Sequence, residues 1–202
     1  MEPAPDISDQ DLLRVVQFHG HICPGLAYGF RVAKAAMREL RDRSSDEEIV
    51  AVVENDSCAV DAVQVITGCT FGKGNLIFRD TGKQVYTFLN RNTERGVRIR
   101  VEFTDEETPE ESDIWRRLRE GDRQPETLAS VSRLRDRKIS RILEMPEEEL
   151  LRSTSSEASL PPRAKIFPSV KCSHCGEKMM ESRARVKQGR IVCIPCSEET
   201  GQ

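Results

Sequence analysis

The chain has 202 residues, of which 37% are hydrophobic and 32% charged, and its formal net charge is -3. This length is enough for one domain of ordinary size and one small module, and no apolar run approaches the roughly 18 residues that a membrane-spanning helix needs. Residues 1–11 have neither the basic start nor the apolar stretch of a secretory signal. We therefore expect a cytoplasmic protein whose seven cysteines are metal ligands or reactive thiols rather than disulfides.

Two helices are predicted before the first strand. Ser8 and the acidic residues after it form a helix-start signal, and the apolar residues that follow continue to His19. A second helix is predicted to begin at Pro24, because the N–H that proline lacks would be unpaired in a first turn anyway. Apolar residues at helical spacing extend this helix to about Arg43.

The middle of the chain combines short β-branched runs with a third helix. This helix is predicted from Cys58 to about Thr67, directly after the cap-forming residues 55–57. It leads into a glycine-rich loop at residues 68–75. Four strands are predicted, the middle two as a hairpin about a turn at 81–83: Ile49–Val53, Leu76–Phe78, Val85–Leu89 and Val97–Phe103.

The next part of the chain predicts helices that lie outside the sheet. A solvated acidic stretch, Asp105–Glu111, is expected to end the sheet, and helices are predicted at Ile114–Leu118 and Leu128–Leu143. This order predicts an α+β fold in which helices pack on an antiparallel sheet. The predicted organisation is a core at 1–152, a Ser- and Pro-rich linker at 153–168 and a small module at 169–202.

Four cysteines define the carboxy-terminal module. Cys172 and Cys175 form one Cys-x2-Cys knuckle, and Cys193 and Cys196 form another after seventeen intervening residues. This spacing is typical of a structural Zn²⁺ site with four thiolate ligands. Two disulfides or four unliganded thiols are the alternative interpretation. The residues between the knuckles predict a β-hairpin with strands at 183–186 and 190–192 and a turn at 188–189.

A second group of metal-ligating residues precedes the second helix. His19, His21 and Cys23 lie within five residues, and Cys23 stands just before the helix start. The partial positive charge of a helix amino terminus favours the thiolate form of such a cysteine. Thiolate and neutral imidazole suit zinc or a neighbouring divalent metal.

The third helix repeats this arrangement. Cys58 stands at its start, and Asp61 and Gln64 follow at intervals of three residues, so the three side chains share one face. We expect the two helix starts to converge on one pocket. The alternative is that His19 and His21 are surface loop residues and Cys58 a small core side chain. For Cys69, a buried filler is the preferred interpretation.

These two segments resemble the family of formylmethanofuran dehydrogenase E-type subunits over roughly residues 12–145. The resemblance is carried by Phe18-His19-Gly20-His21-x-Cys23-Pro24-Gly25-Leu26-x2-Gly29-x-Arg31 and by Asn55-Asp56-x-Cys58-x2-Asp61-Ala62-x-Gln64-x3-Gly68-Cys69-Thr70-x-Gly72-Lys73-Gly74-Asn75. It implies an α+β core with an antiparallel sheet, a carboxy-terminal treble-clef zinc finger as in some members, and a homodimer. It also implies a core metal or active site built from His19, His21, Cys23 and Cys58, with Asp61 beside them.

The family name implies a larger enzyme complex of one-carbon metabolism, which uses a metal pterin and iron–sulfur clusters. This chain has no clustered cysteine run for an iron–sulfur centre. We therefore expect an accessory subunit rather than a complete redox enzyme.

Together these features predict a metal-binding protein with two distinct sites. In the core site, Cys58, Cys23 and one or both of His19 and His21 would hold a divalent ion, with zinc preferred and nickel or iron as alternatives. A position left open would take a small one-carbon or carboxylate-like ligand. Asp61 would then be the candidate base and Lys73, in the glycine-rich loop, would pair with the ligand's charge. For Cys58, a role as catalytic nucleophile is the alternative to a role as metal ligand.

A non-enzymatic role is the alternative hypothesis. The core would then bind a metal or a small molecule for regulation, and the finger would dock a protein partner. Residues 163–202 carry eight Lys/Arg against four Asp/Glu, a mild excess of positive charge. Phe167 is the only aromatic near the finger, so we do not expect it to bind nucleic acid.

Overall fold

The computed structural model describes residues 9–40, 46, 48–103 and 107–199. The chain divides into two compact units, Met1–Arg163 and Ala164–Gln202. No helix in the described ranges has both the length and the apolarity needed to cross a membrane.

The two amino-terminal helices form as predicted. Helix α1 spans Gln10–His19, and the side chain of Asp9 caps it by accepting from the backbone N–H of Asp11. Gly20 ends α1 in the left-handed conformation, at φ 93°, which glycine adopts without a steric cost. Helix α2 spans Pro24–Leu40. The predicted signals at Ser8 and Arg43 lie outside the described residues.

The core sheet has five strands in the order β2-β1-β3-β4-β5. All neighbours are antiparallel except β1 and β2, which run parallel. The strands are β1 (Ile49–Val53), β2 (Leu76–Phe78), β3 (Val85–Asn90), β4 (Gly96–Val101) and β5 (Leu151–Ser155). Helix α3, Ala59–Thr67, connects β1 to the loop before β2.

The predicted hairpin of Leu76–Phe78 with Val85–Leu89 is wrong, because β1 lies between these two strands. The connection from β2 to β3 wraps around the end of β1: the backbone N–H groups of Thr81 and Lys83 both donate to the carbonyl of Glu54. Four of the five β1 residues are buried. A strand buried in this way requires hydrogen-bonding partners on both edges, and β2 and β3 supply them.

The sequence interpretation also missed strand β5, since residues 153–155 were predicted to begin the linker. Leu151 is buried, while the other four β5 residues are exposed, so this edge strand lacks the apolar alternation that signals a strand. The backbone pairing with β4, from Val97↔Ser155 to Val101↔Leu151, nevertheless extends over all five residues.

The outer helices are longer than predicted. Helix α4 spans Pro109–Arg119, and Thr108 and Glu111 form a capping box at its start. The predicted acidic stretch therefore contributes its last residues to a helix, whereas residues 104–106 lie outside the described ranges. Helix α5 spans Pro125–Glu144, and a short helix α6, Glu147–Leu150, leads into β5.

Helix α2 lies at the centre of the core and packs against α3, α5 and β4. Its buried residues include Leu26, Ala27, Val32 and Ala36, each with essentially no exposed surface. Arg31 ties α2 to the end of α5, because its guanidinium donates to the carbonyls of Ile142, Leu143 and Met145 at 2.7–2.8 Å. This residue of the predicted family motif thus has a structural role, satisfying carbonyls that the end of a helix leaves unpaired.

The carboxy-terminal unit has the order expected of a treble clef. A first hairpin pairs β6 (Ser169–Lys171) with β7 (Lys178–Met180) around the first cysteine knuckle. A second hairpin pairs β8 (Arg185–Lys187) with β9 (Arg190–Val192), as predicted, and Gln188 and Gly189 form its turn at positive φ. Helix α7, Ile194–Glu198, then begins directly after Cys193.

Candidate metal centres

The four predicted cysteines of the carboxy-terminal unit form one cluster. The sulfur atoms of Cys172, Cys175, Cys193 and Cys196 all lie within 4.8 Å of one another. The Sγ atoms of Cys175 and Cys193 are 3.8 Å apart. A tetrahedron of sulfurs about zinc, with bonds of about 2.3 Å, has edges of about 3.8 Å. The cluster therefore has the size of a closed four-thiolate zinc site.

The surroundings of these sulfurs favour a bound cation. Burial raises the pKa of Cys172, but backbone N–H donors outweigh this effect and lower the pKa to about 6. Two of these donors are the N–H groups of His174 and Cys193, at 3.4 and 3.3 Å from Cys172 Sγ. Close contact with the Cys193 sulfur, followed by burial, raises the pKa of Cys196. Four thiolates can coexist at these distances only if a cation offsets their repulsion.

In the core, the loop between α1 and α2 brings the other predicted ligands together. One nitrogen of His19, one nitrogen of His21 and Cys23 Sγ all lie within 4.8 Å of one another. His19 Nε2 is 3.9 Å from Cys23 Sγ, and the two imidazole rings are 4.7 Å apart between centroids. The backbone N–H of Leu26 donates to Cys23 Sγ at 3.4 Å, as expected for a sulfur that caps the start of a helix.

Asp61 holds one of these imidazoles in place. Its carboxylate Oδ2 lies 2.7 Å from His19 Nδ1, which links α3 to α1. With Nδ1–H donating to the carboxylate, the lone pair of His19 is on Nε2, the nitrogen that faces Cys23. A carboxylate behind an imidazole in this way is the usual arrangement around metal-ligating histidines.

Cys58 approaches this cluster from the start of α3. The three donors that lie within 4.8 Å of one another are those of His19, His21 and Cys23; Cys58 is near them but is not part of this group. Two glycines of α2 permit this approach: a Cβ on Gly25 would lie 3.2 Å from Cys58 Cβ, and one on Gly29 would lie 2.2 Å from the Ala59 carbonyl oxygen. The starts of α2 and α3 therefore lie close together, and the prediction that their side chains share one pocket stays a prediction.

The electrostatics of Cys58 differ from the prediction that a helix start favours thiolate. Burial raises the pKa of Cys58, and the neighbouring Cys23 sulfur and the Asp61 carboxylate raise it further. Burial is the largest of these effects, and two sulfurs and a carboxylate close together also repel one another when ionised. A divalent cation among these groups would instead lower the pKa of the Cys58 thiol, because it stabilises thiolates.

The remaining predicted residues lie in the loop after α3. Cys69 is fully buried and its thiol donates to the Ile49 carbonyl, which agrees with the filler interpretation. Lys73 is half-buried, and its backbone N–H donates to Thr70 Oγ1. Its role toward a ligand stays a prediction.

A cleft of about 310 Å³ lies along the seam of α1 and α3. None of the candidate core ligands lines it, although Phe18 and Gln64 are close in sequence to His19 and Asp61. Phe18 is 60% exposed at the mouth of this cleft. The residues that line the cleft are Arg14, Phe18, Gln64, Val65 and Thr70.

Sequence reasoning missed three features of these centres. The Asp61–His19 contact joins residues 42 positions apart, so no local sequence pattern predicts it. The role of Gly29 depends on its distance from α3, which the sequence does not give. His174 stands between the first two cysteines of the finger, and its position inside the Cys-x2-Cys knuckle was an available signal.

Comparison with known proteins identifies the core. The family described as "FmdE, Molybdenum formylmethanofuran dehydrogenase operon" matches residues 18–152, which is more than half of the chain. The chain belongs to the FmdE family. A second match, to the "Prokaryotic dksA/traR C4-type zinc finger", covers residues 165–200 and supports zinc binding by the four cysteines of this FmdE-family protein.

Two relatives extend this comparison. A protein of Archaeoglobus fulgidus named "Probable S-adenosyl-L-methionine-binding protein" is 36% identical over 197 residues, covering 92% of this chain. The chain spans about half the length of this curated relative, 52%. A crystal structure of a tungsten formylmethanofuran dehydrogenase FmdE-like protein from Syntrophus aciditrophicus superposes with a TM-score of 0.58, at 22% identity and over 97% of both chains. At this identity the structural likeness shows the shared fold.

Proposed function

We propose that the core of this FmdE-family protein binds one divalent metal ion and presents it to a small ligand. Cys23, Cys58 and one or both of His19 and His21 are the proposed metal ligands. The observation that supports this proposal is the close approach of two separate chain segments: the loop before α2 groups three sulfur and nitrogen donors, and the start of α3, with Cys58, packs against the first turn of α2.

The donor set indicates which ions would fit. Two sulfurs and one or two imidazole nitrogens match the ligands that zinc prefers, and nickel or iron is the next choice. A span of at most 4.8 Å among the His19, His21 and Cys23 donor atoms suits ligands around one ion. With only one of the histidines bound, the coordination shell keeps a free position for a ligand or water.

The chemistry of such an ion would be that of a Lewis acid, which polarises a carbonyl or lowers the pKa of bound water. The protein's own groups would prepare the site. Asp61 would hold His19 in the tautomer that binds metal through Nε2. A direct role of Asp61 as a base would require it to leave this contact, so orienting His19 is the role that we assign to it first.

The cleft between α1 and α3 would offer room for the ligand if it extends to the cluster. A volume of about 310 Å³ is at the small end of small-molecule sites. Phe18 and Val65 would contact the apolar part of a ligand, and Arg14, which pairs with the Asp11 carboxylate in this structure, would have to exchange that partner for a ligand carboxylate. These contacts favour a small carboxylate-like or one-carbon compound, and Lys73 would assist with its charge.

At the level of the cell, we infer an accessory role in one-carbon metabolism. The family name and that of the Syntrophus structure both refer to formylmethanofuran dehydrogenase. On the basis of this resemblance, the chain would either join such an enzyme complex or form a homodimer. The finger would act as a structural or docking module. The name of the Archaeoglobus relative refers to a protein about twice this length, so we do not assign its ligand to this chain.

The substitution Cys58→Ala tests the core site. We expect it to remove one metal ion per chain, because it deletes one of the proposed sulfur ligands while the four finger cysteines stay intact. The measurement is the metal content of the purified protein by mass spectrometry, before and after dialysis against each candidate ion.

The matched control is Cys69→Ala, which also removes a thiol from the core but leaves the cluster unchanged. This variant should keep the full metal content. If Cys58→Ala and Cys69→Ala bind the same number of ions as the unmodified chain, the proposed core centre is wrong.

A further inference from the structure

A second group of donors lies beside the four-cysteine cluster of the finger. His174 Nδ1 is 3.3 Å from Cys196 Sγ and 3.8 Å from a carboxylate oxygen of Glu199. The donor atoms of these three residues all lie within 4.8 Å of one another. Neither His174 nor Glu199 belongs to the four-thiolate set, whereas Cys196 belongs to both groups.

We propose that His174, Cys196 and Glu199 form a second metal site, in which the Cys196 sulfur bridges two ions. A thiolate bound to zinc keeps lone pairs that can bind a second ion. The second ion would be a borderline-soft divalent cation such as zinc or cadmium, since its ligands are one sulfur, one imidazole nitrogen and one carboxylate oxygen.

The fold fixes the positions of these three residues. His174 lies inside the first knuckle, where its backbone N–H donates to Cys172 Sγ at 3.4 Å. Cys196 and Glu199 are positioned by Lys187, whose Nζ donates to their backbone carbonyls at 3.0 and 2.5 Å. The ammonium group thus holds the end of helix α7 through its backbone and leaves the Glu199 carboxylate beside the imidazole.

Charge also favours a second cation. Zinc with four thiolates carries a net charge of about -2, and Glu199 adds another negative charge next to it. His174 and Glu199 are 66% and 63% exposed, so the second ion would sit at the surface with its remaining positions open to water. We therefore expect this ion to bind more weakly than the tetrathiolate zinc.

Cadmium-113 NMR of the full-length protein tests the shared sulfur directly. With saturating ¹¹³Cd²⁺, we expect two finger resonances, each split by coupling to the other through the bridging Cys196 sulfur. In His174→Ala, and separately in Glu199→Gln, the four-thiolate resonance should remain but lose its splitting. The four cysteines are intact in both variants, so the finger is expected to fold.

One unsplit four-thiolate resonance in the unmodified protein at saturating cadmium would overturn the proposal, and His174 would then be a hydrogen-bond donor to the Cys196 sulfur. Splitting that persists in both variants would also overturn it. Cadmium in the core site gives a separate resonance that Cys58→Ala should remove. The test of the bridged site is therefore independent of the proposed core centre.

Discussion

Replacing Gly29 by alanine is expected to destabilise the core by about 3 kcal/mol or more, at the upper end of the cost of overpacking. The added Cβ would lie 2.2 Å from the carbonyl oxygen and 2.5 Å from the Cα atom of Ala59. Both contacts are with backbone atoms of α3, so no side-chain rotation can relieve them. Helix α3 would have to move away from α2, taking Cys58 away from Cys23.

Urea denaturation followed by the fluorescence of Trp115, the only tryptophan, measures this effect in the core unit. Gly72→Ala is the matched control, because a Cβ at Gly72 would meet nothing within 4 Å. We expect the midpoint of Gly29→Ala to fall well below that of Gly72→Ala, and its core metal content to fall with it. Equal midpoints for the two variants would show that α2 and α3 do not need this close contact.

Removing one finger cysteine is expected to unfold the carboxy-terminal unit. The described part of this unit has a hydrophobic cluster of only three buried residues, Cys172, Val192 and Cys196, and two of these are metal ligands. Such a small core cannot offset the conformational entropy of folding, and structural zinc supplies an apparent free energy of about 10–16 kcal/mol in comparable fingers. In Cys172→Ala we expect loss of the finger zinc and of ordered structure over residues 164–199.

Hydrogen–deuterium exchange with mass spectrometry would follow the two units separately in one experiment. Peptides from 164–199 should exchange rapidly in Cys172→Ala or after chelation, while peptides from strands β1 and β3 stay protected. Ser173→Ala changes a non-ligand residue in the same knuckle and should retain both zinc and protection. Full protection of the finger in Cys172→Ala would mean that it folds without its zinc.

The fold could be predicted where local signals decide it. Helices α1, α2 and α3 have capping residues, proline or apolar spacing that act within a few residues, and the finger follows from its cysteine spacing. Strand pairing depends on distant parts of the chain. The place of β1 between β2 and β3 and the pairing of the polar strand β5 with β4 could not be deduced from local patterns.

In the candidate metal centres, too, local sequence predicts some features, whereas others depend on the packing of distant segments. His19, His21 and Cys23 are neighbours in sequence, so their clustering was expected. That Cys58 joins them as a ligand, inferred from two similar helix starts, stays a prediction. The contact of Asp61 with His19 depends on how α3 lies against α1. The raised pKa of Cys58 also depends on packing, since burial and the neighbouring Cys23 sulfur are its main causes.

Anomalous X-ray scattering from crystals of the metal-loaded protein, recorded on both sides of the zinc edge, tests the core centre most directly. The account predicts one zinc peak within the four-cysteine cluster and a separate metal peak within bonding distance of Cys23 Sγ, Cys58 Sγ and at least one histidine nitrogen. The second peak would identify its metal by the edge at which it appears. Anomalous peaks confined to the finger, with these core side chains turned away from one another, would contradict the account.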